Sequence, residues 1–150
     1  MYGITHVSVG ALLGALWQNP FGAAVGGLVS HGILDAVPHH DYKTPVPALI
    51  DIGLSTAALY FLWQKGNTDP KPGSYSMFAG GLLAALPDVE IIMGYILDKM
   101  KKGWRWPRIY PSHTGLIRHG HMDFPHGFYL QAAVIVGCLL GIYLLKFRPI

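Results

Sequence analysis

Apolar residues gather along this chain in five runs separated by short polar breaks. The first runs from Ile4 to Trp17 and ends at Asn19-Pro20; the second runs from Phe21 to Val37 and stops at Pro38. The third, Val46 to Trp63, opens among Pro45 and Pro47. Proline suits a first helical turn, where its missing N–H would be unpaired anyway. The fourth, Ser76 to Leu97, is interrupted by Pro87, and the fifth, Phe128 to Leu145, is unbroken. A bilayer core of roughly 30 Å takes about 20 helical residues. The first two runs are therefore short, and either cross a locally thinned bilayer or form a re-entrant hairpin. The expected fold is all-α: one transmembrane domain over residues 1–150, a bundle of about five helices.

Composition turns these helices from buried soluble elements into membrane ones. Hydrophobic residues make up 51% of the chain and charged ones 13%, about half the charged share of a soluble domain. Of its 19 glycines, twelve fall inside the apolar runs. In water each would cost a helix ~1 kcal/mol relative to alanine, whereas in lipid they let helices approach closely. The single cysteine, Cys138, excludes an internal disulfide and leaves the redox compartment open. The N-terminal run lacks the basic start and small-residue cleavage site of a signal peptide, so it reads as inserted and retained.

Charge then suggests an orientation. The stretch before the last run holds Lys99, Lys101, Lys102, Arg105, Arg108 and Arg118, with Trp104, Trp106 and Tyr110 among them. Basic residues beside interfacial aromatics mark a cytoplasmic surface loop. If all five runs cross, Lys43 joins that side, while Lys65, Lys71, Lys146 and Arg148 face the other. This predicts an integral membrane protein with a cytoplasmic N-terminus, in the inner or cytoplasmic membrane if the source is a prokaryote. The partner is the lipid bilayer; nucleic acid is not expected, because no basic stripe lies outside that loop. Gly26-Gly27-Leu28 and Gly80-Gly81-Leu82 echo one another, a match too cheap in an apolar chain to establish duplicated halves.

The same alternation sorts the polar residues. His6 opens the first run; His31, Asp35, His39, His40 and Asp41 end the second; Asp51 begins the third; Asp88 and Glu90 fall late in the fourth; His121 and His126 precede the fifth. All lie in one half of the membrane, together with His113 and His119. The other half has no histidine. Charge within a membrane segment costs at least ~2.5 kcal/mol, so it needs a partner or a task. Imidazoles with carboxylates are ligands for zinc and similar divalent ions, and His31 and Asp35, four residues apart, share a helical face. Blander readings stand beside this one. His6 reads as a cap or interfacial residue, and His39-His40-Asp41 equally as a solvated turn. Asp51 pairs with Lys43 or Ser55, Asp69 and Asp98 are ordinary surface charges, and His113 and His119 are solvated among the arginines.

Four short stretches resemble the inner-membrane-associated, metal-dependent hydrolases of the YdjM-like family. Leu86-Pro87-Asp88-Val89-Glu90 resembles its LPDxD signature, with Glu90 where the family has Asp. His121-Met122-Asp123-Phe124-Pro125-His126-Gly127 resembles its HRGFTHS run, and Ser30-His31-Gly32-Ile33-Leu34-Asp35-Ala36 its SHLLLDA segment, which lies earlier here than in the family. His6 is similar to the family's N-terminal histidine. The resemblance implies His6, His31, Asp35, Asp88, Glu90, His121 and His126 as metal ligands for two or three ions, Zn2+ first among them. Through a further likeness to helical zinc phospholipase C enzymes it implies hydrolysis of a phosphoester, a phospholipid among the substrates, with Glu90 or Asp88 orienting the water. A noncatalytic membrane scaffold and a metal or proton transporter are the alternatives. The transporter lacks ligands in the opposite half, where Asp69 is the sole carboxylate.

Overall fold

The computed structural model describes residues 1–42, 44–100 and 106–146, the side chain of Lys146 excepted. Lys43, Lys101, Lys102, Trp104, Arg105 and Arg148 of the charge argument lie outside them. The described residues form α1 (Gly3–Trp17), α2 (Pro20–Ala36), α3 (Pro45–Thr68), α4 (Pro72–Ala85), α5 (Asp88–Lys99), α6 (Pro111–Thr114) and α7 (His126–Lys146). Among them there is no strand. The fold is all-helical, as expected, but with seven helices rather than five.

Both extra helices have a local cause. The fourth apolar run is two helices because Pro87 has no N–H for the Leu83 carbonyl and its ring obstructs the preceding turn. The amides beyond it turn to new acceptors, Val89 to Leu86 and Glu90 to Pro87, and α5 leaves α4 at 45°. The other addition, α6, is one turn inside the basic loop, started by Pro111.

Elsewhere the punctuation acts as the sequence suggests. The Asn19 side chain accepts the Gly22 N–H at 3.0 Å, and Pro20 occupies the first turn of α2. Prolines also open α3 and α4.

Helices α1, α2 and α4 form the interior, with α3 and α7 against its flanks. Small residues make this contact possible. A Cβ on Gly10 of α1 would fall on the Gly80 backbone of α4, and one on Gly27 of α2 would meet the same Gly80 carbonyl. Outside, α3 and α7 expose large apolar side chains, among them Leu49, Ile50 and Phe61, and Val136, Leu139 and Leu144. These two helices are long and apolar enough to cross a membrane, and the bent α4–α5 pair would make a third. Asp51 of α3 turns inward. Its carboxylate accepts the Gly3 N–H at 2.6 Å and the Ile4 N–H at 3.0 Å, so its described partners are the first amides of α1 rather than the Ser55 side chain.

Candidate metal centre

The polar residues of α1, α2 and α5 meet at one end of the interior, where the loops after α2 and α5 close over them. His31 and Asp35 are both buried, one turn apart on α2, with Nε2 and Oδ2 3.1 Å apart. Asp88, the first residue of α5, places Oδ1 3.8 Å from His31 Nε2 because the Pro87 break turns that helix toward α2. From α1, His6 stacks on the His31 ring with centroids 4.1 Å apart.

The loop residues arrive through a set of backbone clasps. Glu90 accepts the Ile109 N–H at 2.9 Å and the Tyr110 N–H at 3.1 Å. The Tyr110 hydroxyl donates to the Leu28 carbonyl of α2 and accepts the Gly32 N–H. Ser112 Oγ donates to Asp35 Oδ2 at 2.8 Å. Further on, the Gly120 N–H reaches the Asp35 carbonyl and the Met122 N–H reaches that of His39. These contacts lay His113 and His119 over the end of α2. The reading of His113 as solvated is therefore corrected, since its side chain is 5% exposed. His39 is fully buried rather than part of a solvated turn.

Hydrogen-bond logic decides what the buried imidazoles present. A carbonyl oxygen only accepts, so His31 Nδ1, 2.7 Å from the Ala84 carbonyl at the end of α4, carries the proton. His113 Nδ1 faces Glu90 Oε2 at 3.3 Å and donates there. In its neutral form each ring would leave Nε2 as an acceptor, and the two Nε2 atoms face each other at 3.4 Å. Asp35 Oδ2 and Asp88 Oδ1 are each 3.8 Å from His113 Nε2. His31 Nε2, His113 Nε2, Asp35 Oδ2 and Asp88 Oδ1 thus converge on one place. Burial pushes the His113 pKa down, against the pull of Glu90, which favours the neutral ring a metal takes as ligand.

Ligand spacing supports the same reading. Around an ion bound at ~2.1 Å, neighbouring donor atoms lie about 3.0–3.4 Å apart. His6 is fully buried and neither ring nitrogen makes a hydrogen bond. Its Nε2 is 3.3 Å from Asp35 Oδ1 but not aligned to donate to it, as two ligands aimed at a common ion would be. The donor atoms of His6, His31 and Asp88, of His31, Asp35 and His113, and of Asp35, His39 and His119 form three groups able to hold a metal ion. The residues present fit a metal ion.

Of the residues implied by the resemblance, His6, His31, Asp35 and Asp88 come together. Glu90 stands one step back, its oxygens committed to the 109–110 backbone and His113. His121 and His126 are exposed and join none of the three groups; His121 Nε2 lies 3.6 Å from Asp123 instead. His39, His113 and His119 are the additions. Their neighbourhood of Arg108 and Arg118 and turn-forming Pro38 concealed them. The available signal was the count of histidines confined to one half of the chain's alternation. No family profile, no curated protein and no solved structure matches this chain.

Proposed function

We propose that this chain is an integral membrane metallohydrolase that cleaves a phosphoester at a His/Asp centre near the cytoplasmic face. The observation that carries the reading is the convergence of His31 Nε2, His113 Nε2, Asp35 Oδ2 and Asp88 Oδ1, two imidazole nitrogens beside two carboxylates. The LPDxD-like and SHLLLDA-like stretches support it, because His31, Asp35 and Asp88 are the residues they contribute. The ligand set proposed exchanges His121 and His126 for His113 and keeps His6 at the buried end.

A divalent ion held there would acidify a water molecule and stabilise charge on phosphoryl oxygens. Asp88 is the one member of the four with appreciable exposure, at 26%. It is the carboxylate placed to accept a proton from that water. Glu90 is a positioning residue: it orients His113 through Nδ1 and ties down the loop that carries it, as outer partners of metal-bound histidines do.

Elemental analysis of detergent-purified protein, never exposed to chelator, tests the reading. Stoichiometric zinc or a related metal is expected, reduced by at least half in His31→Ala and Asp88→Ala, with phosphoesterase turnover lost in both. Wild-type protein without bound metal would sink the proposal.

A further inference from the structure

Helices α3 and α7 both pack against α1, and between their first turns they leave a groove. Its inner lobe, about 310 Å3, is lined by Ile4 from α1, Ile50 and Leu54 from α3, and Ala132 and Ile135 from α7. An outer lobe of about 430 Å3 shares Tyr2, Tyr42, Pro47 and Phe128 with the inner one and ends at His40 and Thr44. Both volumes fall in the range of ligand pockets, roughly 300–1,000 Å3. None of the lining residues belongs to the donor groups of the His/Asp centre.

The groove is held in shape by polar contacts. Gln131, fully buried on α7, accepts the Tyr2 N–H at 2.7 Å and donates to the His40 carbonyl at 3.0 Å. One side chain thus ties the floor and the outer end to the same wall. Where the lobes meet, the Tyr2 and Tyr42 rings stack with centroids 4.7 Å apart. A Cβ on Gly127 would fall on the His40 backbone nitrogen, so the outer end sits directly on the first turn of α7. His40 Nδ1 is buried there without a hydrogen-bond partner. A buried polar atom left unpaired is costly, and this one calls for a polar group from outside the chain.

We propose that this groove binds one hydrocarbon chain of a membrane lipid, with the lipid's polar end at His40 and Thr44. The lining changes from aliphatic inside to polar and aromatic outside, which is the polarity of an amphiphile lying along it. Ile50, Leu54 and Phe128 are 59%, 54% and 43% exposed, so the walls run on into the outward faces of the two helices suited to crossing a membrane. In the proposed bilayer the groove therefore opens sideways to lipid. A transmembrane helix of a second copy is too bulky for it. At about 10 Å across, three turns of helix displace on the order of 1,000 Å3, whereas an extended chain is thin enough to lie within. A lipid ester or head-group oxygen would meet His40 Nδ1, and the chain would supply the dispersion contacts that an open apolar groove lacks.

This inference rests on the membrane part of the proposed function and is independent of its metal centre. Full-length protein is reconstituted in vesicles of phosphatidylethanolamine and phosphatidylglycerol that contain a trace of phosphatidylglycerol with a photoreactive diazirine in one acyl chain. After illumination, mass spectrometry of peptides locates the label. Wild type is expected to carry several-fold more label at Ile50, Leu54 and Ile135 than at Val136 and Leu139, which face outward beyond the groove. Ala132→Phe fills the inner lobe and should abolish that excess. Ala133→Phe, the same change at an exposed neighbour outside the lining, should leave it intact. The wild-type pattern decides the matter even if a variant fails to fold. Even labelling of an inserted wild type, or an excess that survives Ala132→Phe, overturns the groove site while the membrane reading stands. Wild-type protein that stays in the aqueous phase, unlabelled throughout, overturns both.

Discussion

Helices α1, α2 and α4 differ from α3 and α7 in nearly every respect that matters to the site. The inner helices are short, at 15, 17 and 14 residues, and meet through glycine. Two of them carry His6, His31 and Asp35, and the third offers the Ala84 carbonyl that orients His31. The outer helices run for 24 and 21 residues, show their apolar side chains outward, and contribute nothing to the clustered donors apart from holding their neighbours. The difference teaches a division of labour. Charged groups facing lipid are costly, so in the proposed bilayer the helices with length to cross shield those that carry ligands. Close packing is then a requirement of the inner set alone.

Replacing glycine by alanine in each set tests this directly. Gly80→Ala should have the largest effect, because its new Cβ would meet the Gly10 and Ala23 carbonyls. Backbone cannot move aside as a side chain does, so the loss should reach ~3 kcal/mol, the upper end for overpacking. Thermal unfolding in detergent reads it out, and a wild-type midpoint would dissolve the contrast. Asn19→Ala removes the side-chain cap of α2 and should cost about 1 kcal/mol, seen as a smaller drop in the same midpoint. Gly137→Ala on α7 should be the mildest. Nothing lies within 4 Å of its Cβ position, so better helix propensity should give a gain of about 0.5 kcal/mol. A loss there as large as at Gly80 would mean that the outer face is packed against something.

Much of the fold was legible because it depends on local rules. Asn19-Pro20, Pro38, Pro45 and the long run before Leu145 mark helix ends through capping and the missing proline N–H. The gathering of His6, His31, Asp35 and Asp88 in one place followed from chain alternation and a cost for charge in apolar segments. The closing of the site was not legible, since it depends on contacts between distant positions. Glu90 reads as a ligand by its place beside Asp88, yet its oxygens hold amides nineteen and twenty residues further on. His113 and His119 look solvated beside their arginines, and only the clasps at Tyr110, Ser112 and Gly120 bring them to Asp35. Pro87 was visible as an interruption, but that its bend would deliver Asp88 to His31 depended on where α2 lay.

The Asp51 carboxylate at the head of α1 has a consequence for depth. A helix of 15 residues is about 22 Å long, well short of a hydrocarbon layer of roughly 30 Å. It has no apolar length of its own to fix its level between the two surfaces. At 24 residues, or about 36 Å, α3 does have that length. By holding the amides of Gly3 and Ile4, Asp51 transfers the level of the long helix to the short one. In the proposed bilayer, the height at which His6 stands would thus be set by a helix other than its own.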